Sequence, residues 1–210
     1  MQSDERNGIR GGRSLEELTT PQPWGMPSPE VFDSDLLKIE GQLRSSVPEE
    51  LRKRIAVVRN LAVYGGFCYD FITVAAFWSF TCVELALWMK FLELHPGPII
   101  IQRKGQTESI SFPQLPGNLR LRWRIVGKPE FNGSFQSLVD WATTEQLVQN
   151  DAGLGTIVRL RNSFAHPTEL NTVWSPPMAV QVFKMMIEVV NQLWPIELAA
   201  KYEISLSGDT

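Results

Sequence analysis

The chain of 210 residues has little with which to bind a metal or close a disulfide: two cysteines, Cys68 and Cys82, and two histidines, His95 and His166. Both cysteines fall in one helical stretch, where fourteen residues at about 1.5 Å each separate them by roughly 21 Å. That is far beyond disulfide reach. Two isolated Cys and two distant His do not make a zinc set either. The expectation is a reduced, cytoplasmic protein with no metal site and no cofactor. The opening MQSDERNGIRGG is polar and without an apolar core, so no secretory signal is expected.

An excess of one charge is also missing. The net charge of −3 gives no whole-chain attraction to nucleic acid or membrane. The average hides an asymmetry, because residues 98–128 set Arg103, Lys104, Arg120, Arg122, Arg124 and Lys128 against Glu108 alone, a local +5. The third absence is a long uncharged run. In GGFCYDFITVAAFWSFTCVELALWMKFLEL only thirteen residues separate Asp70 from Glu84, short of the roughly 20 that a bilayer needs. A buried core helix is expected there, and no membrane association.

What is present is apolar mass. Hydrophobic residues make up 43%, with seven Trp and eleven Phe, enough for one domain with a core. Residues 1–33 are rich in Gly, Pro, Ser and charge and read as a flexible arm, docking through Trp24. A single domain over 34–210 follows. Ser34 or Asp35 is the expected N-cap of a first helix, LLKIEGQLRSS, and Pro48 suits the first turn of PEELRKRIAVVRNLAVY. The long apolar helix runs over 67–94 until HPGP stops it. IIIQRKGQTESISF reads as a hairpin and NLRLRWRIV as a third strand, a small β insertion over about 97–133. Helices resume with SFQSLVDWATTEQLV, capped by Ser134, then GLGTIVRLRNSFAH, then a last helix from SPPMAV, bent near Pro195. The fold class expected is mainly α, a helical bundle with a small β insertion.

The stretch RLRNSFAHP, residues 159–167, carries the chemistry. Pro167 disfavours α conformation at His166, so the helix bearing Arg161 should end there. The unpaired carbonyls of a helix C-terminus favour a protonated imidazolium. Asn162 and His166 are four apart and share a face, with Arg161 one step around. Arg, Asn and His together can bind a phosphate and exchange a proton with it, which is what RNA transesterification requires. By spacing alone a second reading stands beside it, a cationic last turn that caps its own helix.

VRLRNSFAHP resembles the Arg-x4–6-His signature of the HEPN superfamily (higher eukaryotes and prokaryotes nucleotide-binding domains), in which a polar residue, often Asn, follows the Arg. The order of elements is similar too: a long helix with VELALWMKFLE, an insertion, a short helix, the motif helix and a closing helix, over roughly residues 34–203. The resemblance implies a HEPN-like bundle and a metal-independent endoribonuclease, with Arg161, Asn162 and His166 matching the family's motif. It also implies a toxin or anti-phage defence effector; an unrestrained ribonuclease would harm its host, so a neutralising or sensing protein partner is expected, and a single motif histidine per chain calls for a homodimer sharing its site. The β insertion is a departure from the minimal family bundle. The alternative is a non-catalytic RNA- or nucleotide-binding module, or an interaction subunit of a larger complex.

Supporting residues carry two readings each. Glu84, on a helix with few polar positions, either orients Arg161 or faces solvent and some other cation. Asp70 lies near the same helical face, with weaker claims of the same kind. Ser163 either reaches the phosphate or bonds its own backbone. Arg159 is surface charge or a peripheral RNA contact, and His95 simply ends a helix. Arg120, Arg122 and Arg124 alternate on one face of NLRLRWRIV, with Arg103 and Lys104 nearby in the hairpin. They form either a ridge for a phosphate backbone or charge protection of an edge strand.

Overall fold

A computed structural model describes residues 28–65, 70–96, 99–103, 106–110, 124–125, 134–149, 152–165 and 175–195. Among them are six helices: α1 (Pro29–Glu40), α2 (Glu49–Tyr64), α3 (Asp70–Leu94), α4 (Phe135–Thr144), α5 (Ala152–Ala165) and α6 (Pro176–Leu193). Between α3 and α4 lie β1 (Ile99–Arg103), β2 (Gln106–Ile110) and β3 (Arg124–Ile125). The protein is mainly α, with the β insertion where the sequence puts it.

The core helix is α3. Its buried side chains, among them Ile72, Ala76, Phe80, Val83, Leu87 and Phe91, point in several directions around the axis. A helix apolar on nearly all sides must be covered on several of them, and α3 packs against α2, α4, α5 and α6. By length and composition it could also cross a membrane, but 56% of its most apolar window is buried inside the protein. Phe71, Val74 and Trp78, spaced at three and four residues, remain exposed. Gly65, which ends α2, sits where the chain turns toward α3, and a Cβ there would collide with the Ile72 side chain.

Polar ties close one end of the bundle. Asn191 of α6 accepts from the Arg44 backbone N–H at 2.9 Å and donates to the Gln42 carbonyl at 2.9 Å, while Arg44 Nη1 donates to the Asn191 carbonyl. The buried Lys90 ammonium pairs with Glu93 at 2.8 Å and lies 5.5 Å from the Trp194 ring centroid. Trp194 Nε1–H in turn donates to Glu93 at 2.9 Å, so the end of α6 is clasped to the end of α3.

Three boundaries differ from expectation. The first helix starts at Pro29, with Ser28 as its N-cap accepting from Val31 N–H, so Ser34 and Asp35 are interior positions and residues 29–33 are not part of an arm. Phe32, buried in the core, and Pro at N1 explain the earlier start. The last helix is described as far as Leu193, with Trp194 and Pro195 beyond its end, and the expected continuation past Pro195 lies outside the described residues. Trp194 precedes a proline, which pushes it out of the α region, and its ψ is 72°. Of the third strand, only Arg124–Ile125 is described, and it pairs antiparallel with β1, giving the order β2-β1-β3. Trp24 lies outside the described residues.

The Ser134 cap is as expected, accepting from Ser137 N–H at 3.2 Å. The far end of α4 closes with Leu147 N–H on the Ala142 carbonyl at 2.8 Å and Gln146 N–H on the Thr143 carbonyl at 3.0 Å. Those two bonds place Gln146 in the left-handed region, at φ 58°, where glycine is usual. A long side chain there costs about 1 kcal/mol.

Burial pushes the Cys82 thiol up from an ordinary value of 9.0 to about 12, against a small opposing pull from Arg54. A raised folded-state value favours the neutral thiol, so its contribution is complete below the unfolded thiol's pKa and is lost as pH climbs from about 9 toward about 12. Urea unfolding across that range should show the wild type losing stability more steeply than Cys82→Ala. Parallel curves would place the thiol in contact with water.

Candidate functional site: an arginine held between α3 and α5

Arg161 lies in the last turn and a half of α5, on the side that faces α3. Its Nε–H and Nη2–H both donate to Glu84 Oε2, at 3.1 Å and 2.8 Å. The structure thus joins Glu84 to Arg161, one of the two arrangements open from sequence. A carboxylate amid the apolar side chains of α3 has little water to turn to, and the guanidinium fork offers two donors along one edge. Both side chains are about a quarter exposed, 26% for Arg161 and 22% for Glu84, so the pair is neither dry nor fully screened.

Two more groups fix the guanidinium. The Phe135 ring, buried at the first turn of α4, lies with its centroid 5.9 Å from Arg161 Cζ. On the other side, Arg161 Nη1 makes a long bond of 3.4 Å to Asn162 Oδ1. Glu84 occupies one edge and Phe135 lies nearby, so Nη1 keeps the N–H capacity for an outside acceptor. Arginine held in this way can receive an anionic oxygen with its orientation already set. Sequence reading missed Phe135. It follows the Ser134 cap as an ordinary apolar N1 residue, and nothing local tells that α5 will bring a cation beside it.

The other expected residues take varied places. Asn162 is exposed beside Arg161. His166 lies outside the described residues, one position beyond the end of α5. Ser163 Oγ donates to the Arg159 carbonyl at 3.0 Å, its backbone alternative. Arg159 is exposed. Asp70 is exposed at the start of α3, fourteen residues and about 21 Å along the helix from Glu84, and is not part of the cluster. His95 ends α3, its Nδ1–H donating to the Phe91 carbonyl at 2.8 Å and its ring stacked on Phe91 at 4.3 Å. Lys104, Arg120 and Arg122 lie outside the described residues. Arg103 ends β1, and Arg124 sits on β3, an edge of the described sheet. Among the described residues no three His, Cys, Asp or Glu side chains converge on a metal-sized site.

Compared with protein-family models, curated proteins and solved structures, the chain finds no match.

A double-mutant cycle tests the pair. Glu84→Gln and Arg161→Gln, singly and together, should give a coupling of about 1–2 kcal/mol in urea unfolding, above an exposed pair because the groups are partly buried. A coupling below about 0.3 kcal/mol would place the two side chains apart in solution.

Proposed function

We propose that the protein is a HEPN-like, metal-independent endoribonuclease with Arg161, Asn162 and His166 as its reacting set. The observation that carries the reading is the Glu84 carboxylate holding Nε and Nη2 of Arg161 while Nη1 stays turned toward Asn162. An arginine used only to cap its helix would direct its N–H groups at the last carbonyls of α5. This one is held by another helix instead.

In the proposed reaction the RNA 2′ oxygen bonds to phosphorus as the bond from phosphorus to O5′ breaks. One imidazole takes the proton from the 2′-OH, and an imidazolium delivers a proton to O5′. The ends left are a 2′,3′-cyclic phosphate and a 5′-hydroxyl. Arg161 Nη1 bears on a nonbridging oxygen as charge gathers there, with Glu84 and Phe135 sparing it any reorientation. Asn162 orients the phosphate through its side-chain amide. The basic residues Arg103, Lys104, Arg120, Arg122, Arg124 and Arg159 serve the RNA backbone at the periphery.

One chain offers one motif histidine, and His95 is committed to the end of α3. A homodimer with a two-fold axis beside α5 supplies both proton-transfer roles and a second Arg161. With two imidazoles in one cleft, one can serve as the base and the other as the acid. Such a nuclease acts in the cytoplasm as a toxin or anti-phage effector, restrained by a protein partner.

Cleavage should persist in excess EDTA, spare DNA, and vanish in His166→Ala. RNA bound tightly but left intact by the wild type would assign a binding module instead, and loss on chelation would remove the mechanism. Chain exchange between equal amounts of wild type and His166→Ala, at constant total protein, should leave well under half the activity. Activity of one half, or full-rate cleavage by a monomer, would rule out the shared site.

A further inference from the structure

An open groove of about 600 Å³ lies at the bundle end where the loop after α4 meets the end of α6 and the loop between α1 and α2. Arg44, Gln146, Gln149 and Gln192 line it together with the apolar Leu147 and Pro195, and no carboxylate is among its lining residues. We propose that this groove binds a short acidic peptide segment in extended form, independently of the ribonuclease reading.

The hydrogen bonds already made leave the groove rich in donors. Gln192 Oε1 accepts from the Gln149 backbone N–H at 2.8 Å, which fixes the side-chain amide, and its N–H groups make no hydrogen bond among the described residues. Arg44 is steadied by its Nη1 bond to the Asn191 carbonyl, and the rest of its guanidinium has no carboxylate among the described residues. A held cation with amide donors in the same groove matches a carboxylate flanked by peptide carbonyls. The side-chain amides of Gln146 and Gln149 each add a donor and an acceptor, the same pair that an extended backbone presents. A nucleic acid would want a row of cations, and the groove has one. A small molecule would want enclosure, and the groove is open.

Gln146 supplies an independent mark. It occupies the helix-ending position that glycine serves with less strain, and it is one of the residues that line the groove. A strained residue that faces a binding surface points to use of that side chain. Replacing it with glycine should therefore separate folding from binding.

The probes are N-acetylated, C-amidated hexapeptides alternating Asp with Val or Asn with Val, and a uridylate decamer, titrated into the isotope-labelled full chain by NMR. The Asp peptide should shift the side-chain amide signals of Gln146, Gln149 and Gln192, and bind about tenfold more tightly than the Asn peptide, the contribution of a charge-assisted bond. Gln146→Gly should raise the melting temperature by about 2–4 °C and weaken the Asp peptide about fivefold. Absence of binding, equal affinity for the two peptides, or a glycine variant that binds unchanged or melts no higher would each overturn the proposal. Shifts at the same glutamines by the uridylate, at lower concentration than by the peptide, would give the groove to RNA.

Discussion

A helix that is apolar around most of its circumference cannot stand at a surface, and α3 places that constraint on every other element. Four helices are needed to cover it, and each arrives with a matching apolar face: Leu51, Ile55 and Val58 on α2, Leu138 and Ala142 on α4, Ile157 and Val158 on α5, Phe183, Met186 and Val190 on α6. Each buried Leu, Ile or Phe contributes on the order of 1.5–3 kcal/mol, so the envelope of α3 outweighs any single polar contact in the molecule. The polar contacts decide something different, namely how the elements are oriented once they are gathered.

Two polar clusters act on α3 in this way. At its C-terminal end Lys90, Glu93 and Trp194 join the end of α6, with the lysine stem buried among apolar neighbours and its charge met on two sides. Toward its middle Glu84 draws in Arg161 from α5. A charge left alone on the buried Lys90 or the partly buried Glu84 would be costly, so each pairing also helps to fix the register of a neighbouring helix. The chemistry proposed for Arg161 depends on this structural role. The same bonds that make it a poor free cation hold its remaining N–H groups in one direction.

Elements were legible where a local signal and a hydrophobic period agreed. Ser134 followed by an apolar run, HPGP after the long helix, and two β-prone runs around Arg103–Gln106 all gave the right element in the right place. The start of the first helix was missed because the Ser28–Pro29 cap sits among prolines and serines that read as loop, and only the burial of Phe32 makes the extra turns worthwhile. The strained Gln146 had no signal, since a glutamine does not announce a left-handed turn.

What the sequence by itself determined is the apolar envelope, the helical class, the site of the β insertion and the grouping of Arg161 with Asn162, because each follows from contacts within a few residues of chain or from periodicity. Only the tertiary structure decided which partner Glu84 takes, that Phe135 lies beside the guanidinium, that Asp70 stands apart, and that Ser163 turns to its own backbone. Glu84 and Arg161 are 77 positions apart, and a pairing across that distance depends on how two helices cross, which no local pattern encodes.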